Sequence, residues 1–193
     1  MKKNVILVLG LVVALLATSC GGKKQHTSLA LFADTASYFA QRIADIEANR
    51  DESDFEAFMR ANDSVDAQKQ LANKVLEELF AINTDTLFLP FEQTQNTDKI
   101  KILSVWVSGL EFDKVLIEAY VEAIDNSSFM GPHASLAILD KSKNRQEVGG
   151  GIQGPNDEKL VVGNVYTFSG SINHLHLLSD FKSLIFSDPI TKW

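Results

Sequence analysis

The chain has one cysteine, Cys20, in 193 residues, so no intramolecular disulfide can tie it together. Proline is nearly as scarce: none of the four precedes Pro90, which leaves the first part of the sequence without helix breakers. Positive charge is short too. Eighteen Lys and Arg against 25 Asp and Glu give a formal net charge of −7, which argues against nucleic acid or an anionic membrane surface as a partner. The apolar run Val5–Ala17 reaches about 20 Å as a helix, short of the roughly 30 Å hydrocarbon core of a bilayer. Enzyme signatures are also missing: no Gly-x-Ser-x-Gly elbow occurs. The glycine-rich stretch Gly149–Asn156 lacks the lysine and hydroxyl residue that would end a phosphate loop, and reads as a mobile hairpin tip or an inter-strand loop.

What is present begins at the N-terminus. Lys2 and Lys3, the apolar run, and the small residues Ala17, Thr18 and Ser19 lead directly into Cys20, the layout of an export signal. This segment resembles the signal of bacterial lipoproteins of the Bacteroidota kind, although Ala17 stands where that family prefers leucine and Leu16 lies one place earlier. The resemblance implies removal of residues 1–19 and lipidation of Cys20 by two or more acyl chains, enough for stable anchoring. Residues 20–26, with Gly21, Gly22, Lys23 and Lys24, form a flexible tether. The lysines stand where surface-exported relatives carry an acidic stretch, so the expected location is the outer membrane, facing the periplasm.

The remaining 174 residues suffice for one domain, or for a small helical layer with a sheet. Over 27–83 the pattern is helical: Phe32, Ala36, Phe39, Ile43 and Ile46 share one stripe. Ser53 and Glu56 fit a capping box starting a short second helix, Ala61-Asn62-Asp63 reads as a turn, and a third helix carries Leu71, Val75, Leu76, Leu79 and Phe80. Beyond residue 84 the period drops to two. Val115, Ile117, Ala119, Val121 and Ala123 alternate with Glu118, Tyr120 and Glu122, and apolar runs that include Leu160–Val162 and Leu175–Leu178 supply further strands. About eight short strands predict an α+β chain in which an N-terminal helical segment precedes an antiparallel, immunoglobulin-like β-sandwich over 84–193, with closure into a barrel as the other arrangement such strands allow. Leu160 followed six residues later by Tyr166 resembles the tyrosine corner of immunoglobulin and fibronectin type III domains, which implies a hydroxyl bonded to backbone at that turn.

Candidates for chemistry are few. His174 and His176 would share one face of a strand with Asp180 close behind, a weak metal-ligand set because a further ligand is missing. Glu118 and Glu122 lie along one strand about 13 Å apart, too far for paired acid–base work on a glycoside, and read as a solvated face. Trp106 and Trp193 could stack on sugars, with Trp106 expected to pack under the helices. Phe129, Met130 and His133 flank a Gly131-Pro132 turn and are candidate partner-binding residues. The expectation is a membrane-anchored envelope lipoprotein without catalytic residues, cofactor or metal, acting as a binding or structural module toward an envelope protein. A glycan-binding lipoprotein of an uptake system is the alternative, and a metal-dependent hydrolase comes after it.

Overall fold

Leu29, Phe32, Ala33, Ala36, Phe39 and Ile43 are the buried residues of the first helix, α1 (Leu29–Ala48), and they follow the helical stripe read from the sequence. The computed structural model describes residues 28–82, 86–93, 100–124, 133–155 and 159–187. Cys20 and its tether, Phe129, Met130 and Trp193 therefore lie outside the described residues. No helix among the described residues is long and apolar enough to cross a membrane.

The second helix corrects the expected pair: α2 runs unbroken from Phe55 to Ile82. Asn62 and Asp63 are tolerated inside it because no glycine or proline accompanies them, and Ser64 turns its hydroxyl back onto the Arg60 carbonyl at 2.8 Å. The cap is also a residue later than expected. Asp54 Oδ1 accepts from the amides of Glu56 and Ala57 (2.9 and 3.2 Å), while Ser53 donates to Asp51 Oδ1 through both its amide and its hydroxyl. Those donors, the Ser53 hydroxyl first, hold the Asp51 carboxyl below its ordinary value. The helices run antiparallel, tied by Arg42 Nε to Gln68 Oε1 at 3.1 Å and by the edge-on rings of Phe32 and Phe80.

The strands are β1 (Phe91–Gln93), β2 (Ile100–Glu111), β3 (Lys114–Ala123), β4 (His133–Asp140), β5 (Arg145–Gln153), β6 (Val165–Asn173) and β7 (Phe181–Ser187). They form one strongly curled sheet in the order β1-β7-β4-β5-β6-β3-β2. The β1–β7 pair is parallel and the others are antiparallel. This α+β architecture departs from the all-antiparallel, two-sheet sandwich expected from the sequence: the helices and a 3-10 helix (Leu175–Asp180) supply the apolar surface that a second sheet would have supplied. One core cluster contains Phe32, Phe39 and Leu76 from the helices together with Val105, Ile117, Phe168, Leu178 and Phe186, so helices and sheet fold around a common centre.

The two sheet edges meet through a single stretch of chain. Leu89 donates to the Val105 carbonyl at 2.9 Å and Val107 to the Leu87 carbonyl at 3.0 Å, pairing this stretch with β2. After Pro90, whose carbonyl accepts from Leu184, the same stretch becomes β1 and pairs with β7. Gln93 extends the join sideways. Its side-chain amide donates to the Ile100 carbonyl (2.8 Å) and accepts from the Ile102 amide (2.9 Å), occupying the place of a backbone residue against β2.

Two expected strands are not strands. Leu160–Val162 leads into a turn, and Leu175–Leu178 belongs to the 3-10 helix, where Leu175 and Leu178 are buried three residues apart. Conversely, Gly149–Gln153 belongs to β5 rather than to a mobile tip. The β4–β5 turn is held by Asp140, whose carboxylate accepts from the backbone and side chain of Asn144 (2.8 and 3.0 Å). The Asn144 amide is the main reason that this carboxyl sits below its usual range.

The tyrosine corner is present. Tyr166 Oη accepts from the Val161 amide at 2.8 Å, and Leu160 is buried beside it. Tyr166→Phe keeps the ring against the core and loses the hydroxyl, so it should cost about 1 kcal/mol, whereas Tyr166→Ala should cost about 3 kcal/mol. Equilibrium urea unfolding of both variants checks this; identical midpoints for Tyr166→Phe and the parent would show that the hydroxyl contributes nothing.

Candidate functional site

In β2 and β3 the residues that alternate with the buried set project from the outer side of the sheet, away from the core. Val105 and Val107 face the core, which turns Trp106 outward; Ile117 and Ala119 do the same for Glu118 and Tyr120. Trp106 is therefore not under the helices, as the sequence had suggested. Its ring lies 4.7 Å from that of Tyr120, tilted by 55°, and Tyr120 remains 49% exposed. Phe88 bridges to Trp106 on the next stretch of chain and is 62% exposed, so three aromatic side chains are grouped on this face.

Strand register brings polar residues into line with the aromatic group. Trp106 is opposite Glu118, Glu118 opposite Ser169, Ser169 opposite Gln153, and Gln153 opposite His133. At about 4.8 Å per strand, Trp106 and Ser169 are about 10 Å apart. Glu118 is only partly exposed and has no hydrogen-bond or ion-pair partner among the described residues. Its strand neighbour Glu122 faces Lys101 at 3.8 Å. From Ser169 the face continues into an open groove of about 450 Å³, lined by Leu116, Ser135, Gly151, Gln153 and Ser171 among others.

The groove owes its floor to glycine. A Cβ on Gly170 would collide with the Gly151 carbonyl, and one on Gly151 would approach the Ala134 carbonyl to 2.5 Å, so β4, β5 and β6 reach this spacing only without side chains at those points. Gly150 has a φ of +99° and sits where β5 makes an irregular step against β4, between the Ser135–Gly151 and Ala137–Glu147 pairs.

The two histidines converge on a different acid from the one expected. His174 adopts a left-handed conformation (φ 61°) that ends β6 and starts the 3-10 helix, so it and His176 do not share a strand face. His176 Nδ1 is 3.2 Å from Asp113 Oδ1 and His174 Nδ1 is 3.8 Å from Asp113 Oδ2, while the His174 amide donates to the Asp113 carbonyl at 2.8 Å. Asp180 points elsewhere, to Lys141 Nζ at 3.4 Å. The Asp113 carboxylate thus joins the β2–β3 turn to the start of the 3-10 helix, and no group of three His, Cys, Asp or Glu side chains among the described residues is arranged to hold a metal ion.

His133 opens β4 at the far end of the register row. Nothing in the sequence marks Glu118 or Ser169 as a site residue. Alternation alone gives Glu118 an outward position but not its neighbours, which come from strands far apart in the chain. Compared with protein-family models, curated proteins and solved structures, the chain matches none.

Proposed function

We propose that this chain is a bacterial envelope lipoprotein, anchored through Cys20 in the outer membrane and facing the periplasm, whose folded part is a non-enzymatic binding module. The outer face of β2, β3, β6 and β5 is its binding surface. One observation carries this: Glu118 lies between an aromatic group and a hydroxyl-lined groove with no partner among the described residues, so a ligand has an acceptor, apolar rings and hydroxyls to engage together. The histidine pair is read as structural, since both Nδ1 atoms turn toward Asp113 and brace two loops. The Tyr166 corner is the one local feature shared with immunoglobulin-like domains, and here it sits in a single mixed sheet.

The anchoring half of the proposal is supported by the basic, apolar and small-residue order before Cys20. Metabolic labelling with an alkyne fatty acid should mark the parent and not Cys20→Ala, and the variant should leave the membrane fraction. Two acyl chains hold a protein stably, so the shift should be close to complete. Equal labelling, or equal membrane retention, of the two forms would sink the anchoring claim.

A further inference from the structure

The outer-face ligand can be narrowed by what each part of the surface demands, taking the binding-module reading as given. Glu118 is an acceptor without a donor among the described residues, so a fitting ligand brings hydrogen-bond donors to it. Ser135, Ser169 and Ser171 both donate and accept, which suits a ligand whose polar groups do the same. Trp106 and Tyr120 offer apolar ring surface beside these groups, so the ligand has an apolar face next to its donors. Its charge is constrained as well: Glu118, Glu122 and the formal net charge of −7 oppose phosphate or carboxylate ligands.

A peptide in extended conformation fits less well. It would gain most by adding to a sheet edge, and here Leu87–Gln93 joins both edges, leaving neither β1 nor β2 free on its inner side. The surface is instead a long row of side-chain groups over a glycine floor, where a flat ligand can approach the backbone closely.

We propose that the row Trp106–Glu118–Ser169, continuing into the Gly151 groove, binds a neutral saccharide chain. One sugar stacks its C–H face on the aromatic group and donates hydroxyl hydrogen bonds to Glu118. The next units run over Ser169 toward Ser135 and Ser171. The row from Trp106 to the groove spans three strands, so a short oligosaccharide covers it and a monosaccharide reaches only one end.

The test uses the full-length protein in a detergent without a sugar headgroup, titrated calorimetrically with maltoheptaose, cellohexaose, xylohexaose, mannohexaose and chitohexaose. At least one should bind saturably, and the matching monosaccharide should bind at least tenfold more weakly. Trp106→Ala, Glu118→Ala and Ser169→Arg should each weaken the interaction tenfold or more, while Glu77→Gln on the exposed side of α2 leaves it unchanged. Ser169→Arg changes an exposed side chain, so its melting temperature should match the parent and its loss of binding would report on the groove itself. Silence across the panel, or equal affinity for parent and all three outer-face variants, overturns the saccharide assignment. A photo-crosslinker at position 169 that traps an envelope protein while every sugar is silent overturns the ligand class and leaves the binding-module reading intact. Release of new reducing ends from a bound sugar does the reverse: it ends the non-enzymatic reading and keeps the ligand class.

Discussion

Gly170→Val should leave no folded protein at 25 °C. A Cβ at this position runs into the Gly151 carbonyl and close to the Ile152 Cα at 2.9 Å, both of them backbone atoms that no rotamer change can move aside. Relief requires β5 and β6 to separate, and they are linked through Gly150–Ile172, Gly151–Ser171, Ile152–Gly170 and Gln153–Ser169. Natural domains are stable by about 5–15 kcal/mol, and losing this pairing together with the burial of Ile152 and Ile172 would consume most of it. Far-UV circular dichroism with one-dimensional proton NMR reads the outcome directly. Gly170→Ala is the graded version, with a much reduced melting temperature; a parent-like melt for either variant would show that the strands can part without cost.

Phe168→Ala is the second large effect expected. Its ring is fully buried on β6, and Gly154 closes over it so tightly that a Cβ there would lie 2.6 Å from two ring carbons. Removing the ring leaves a cavity that the neighbouring strands cannot fill, because their spacing is set by backbone hydrogen bonds, so the cost should be about 3–5 kcal/mol. Phe168→Leu fills most of the space and should recover at least half of that loss. Urea unfolding midpoints with an unchanged slope would measure both; a loss below about 1 kcal/mol for the alanine variant would mean that the site collapses freely.

The parts of the fold that could be read in the sequence are those with one buried and one wet face. β3 alternates cleanly because its inner residues meet the core and its outer ones meet water, and α1 shows its stripe for the same reason. β5 was hidden because its pairing depends on glycines that carry no hydrophobic signal; its neighbours' need for close approach makes it a strand. Leu175–Leu178 misled in the opposite sense, since two leucines three apart suit a 3-10 turn as well as they suit a strand. At the candidate site, Trp106 could be picked out by residue type and Tyr166 by its spacing from Leu160. The company of Trp106 could not. Glu118, Ser169 and Gln153 join it through register across four strands, and the acid that meets His174 and His176 is Asp113 from a distant turn, while the nearby Asp180 pairs with Lys141.

The stretch Leu87–Gln93 sets the order in which the domain can be completed. β1 leaves the helices early in the chain, yet Phe91 is partnered by Leu184 on the last described strand. During synthesis, β1 has no β7 to pair with until residues 181–187 have emerged, and contacts this distant in sequence form slowly. The helical hairpin can assemble as soon as it is free, but the sheet cannot be sealed piecemeal. A nascent chain built in this way keeps its sheet open until nearly all of it has been delivered.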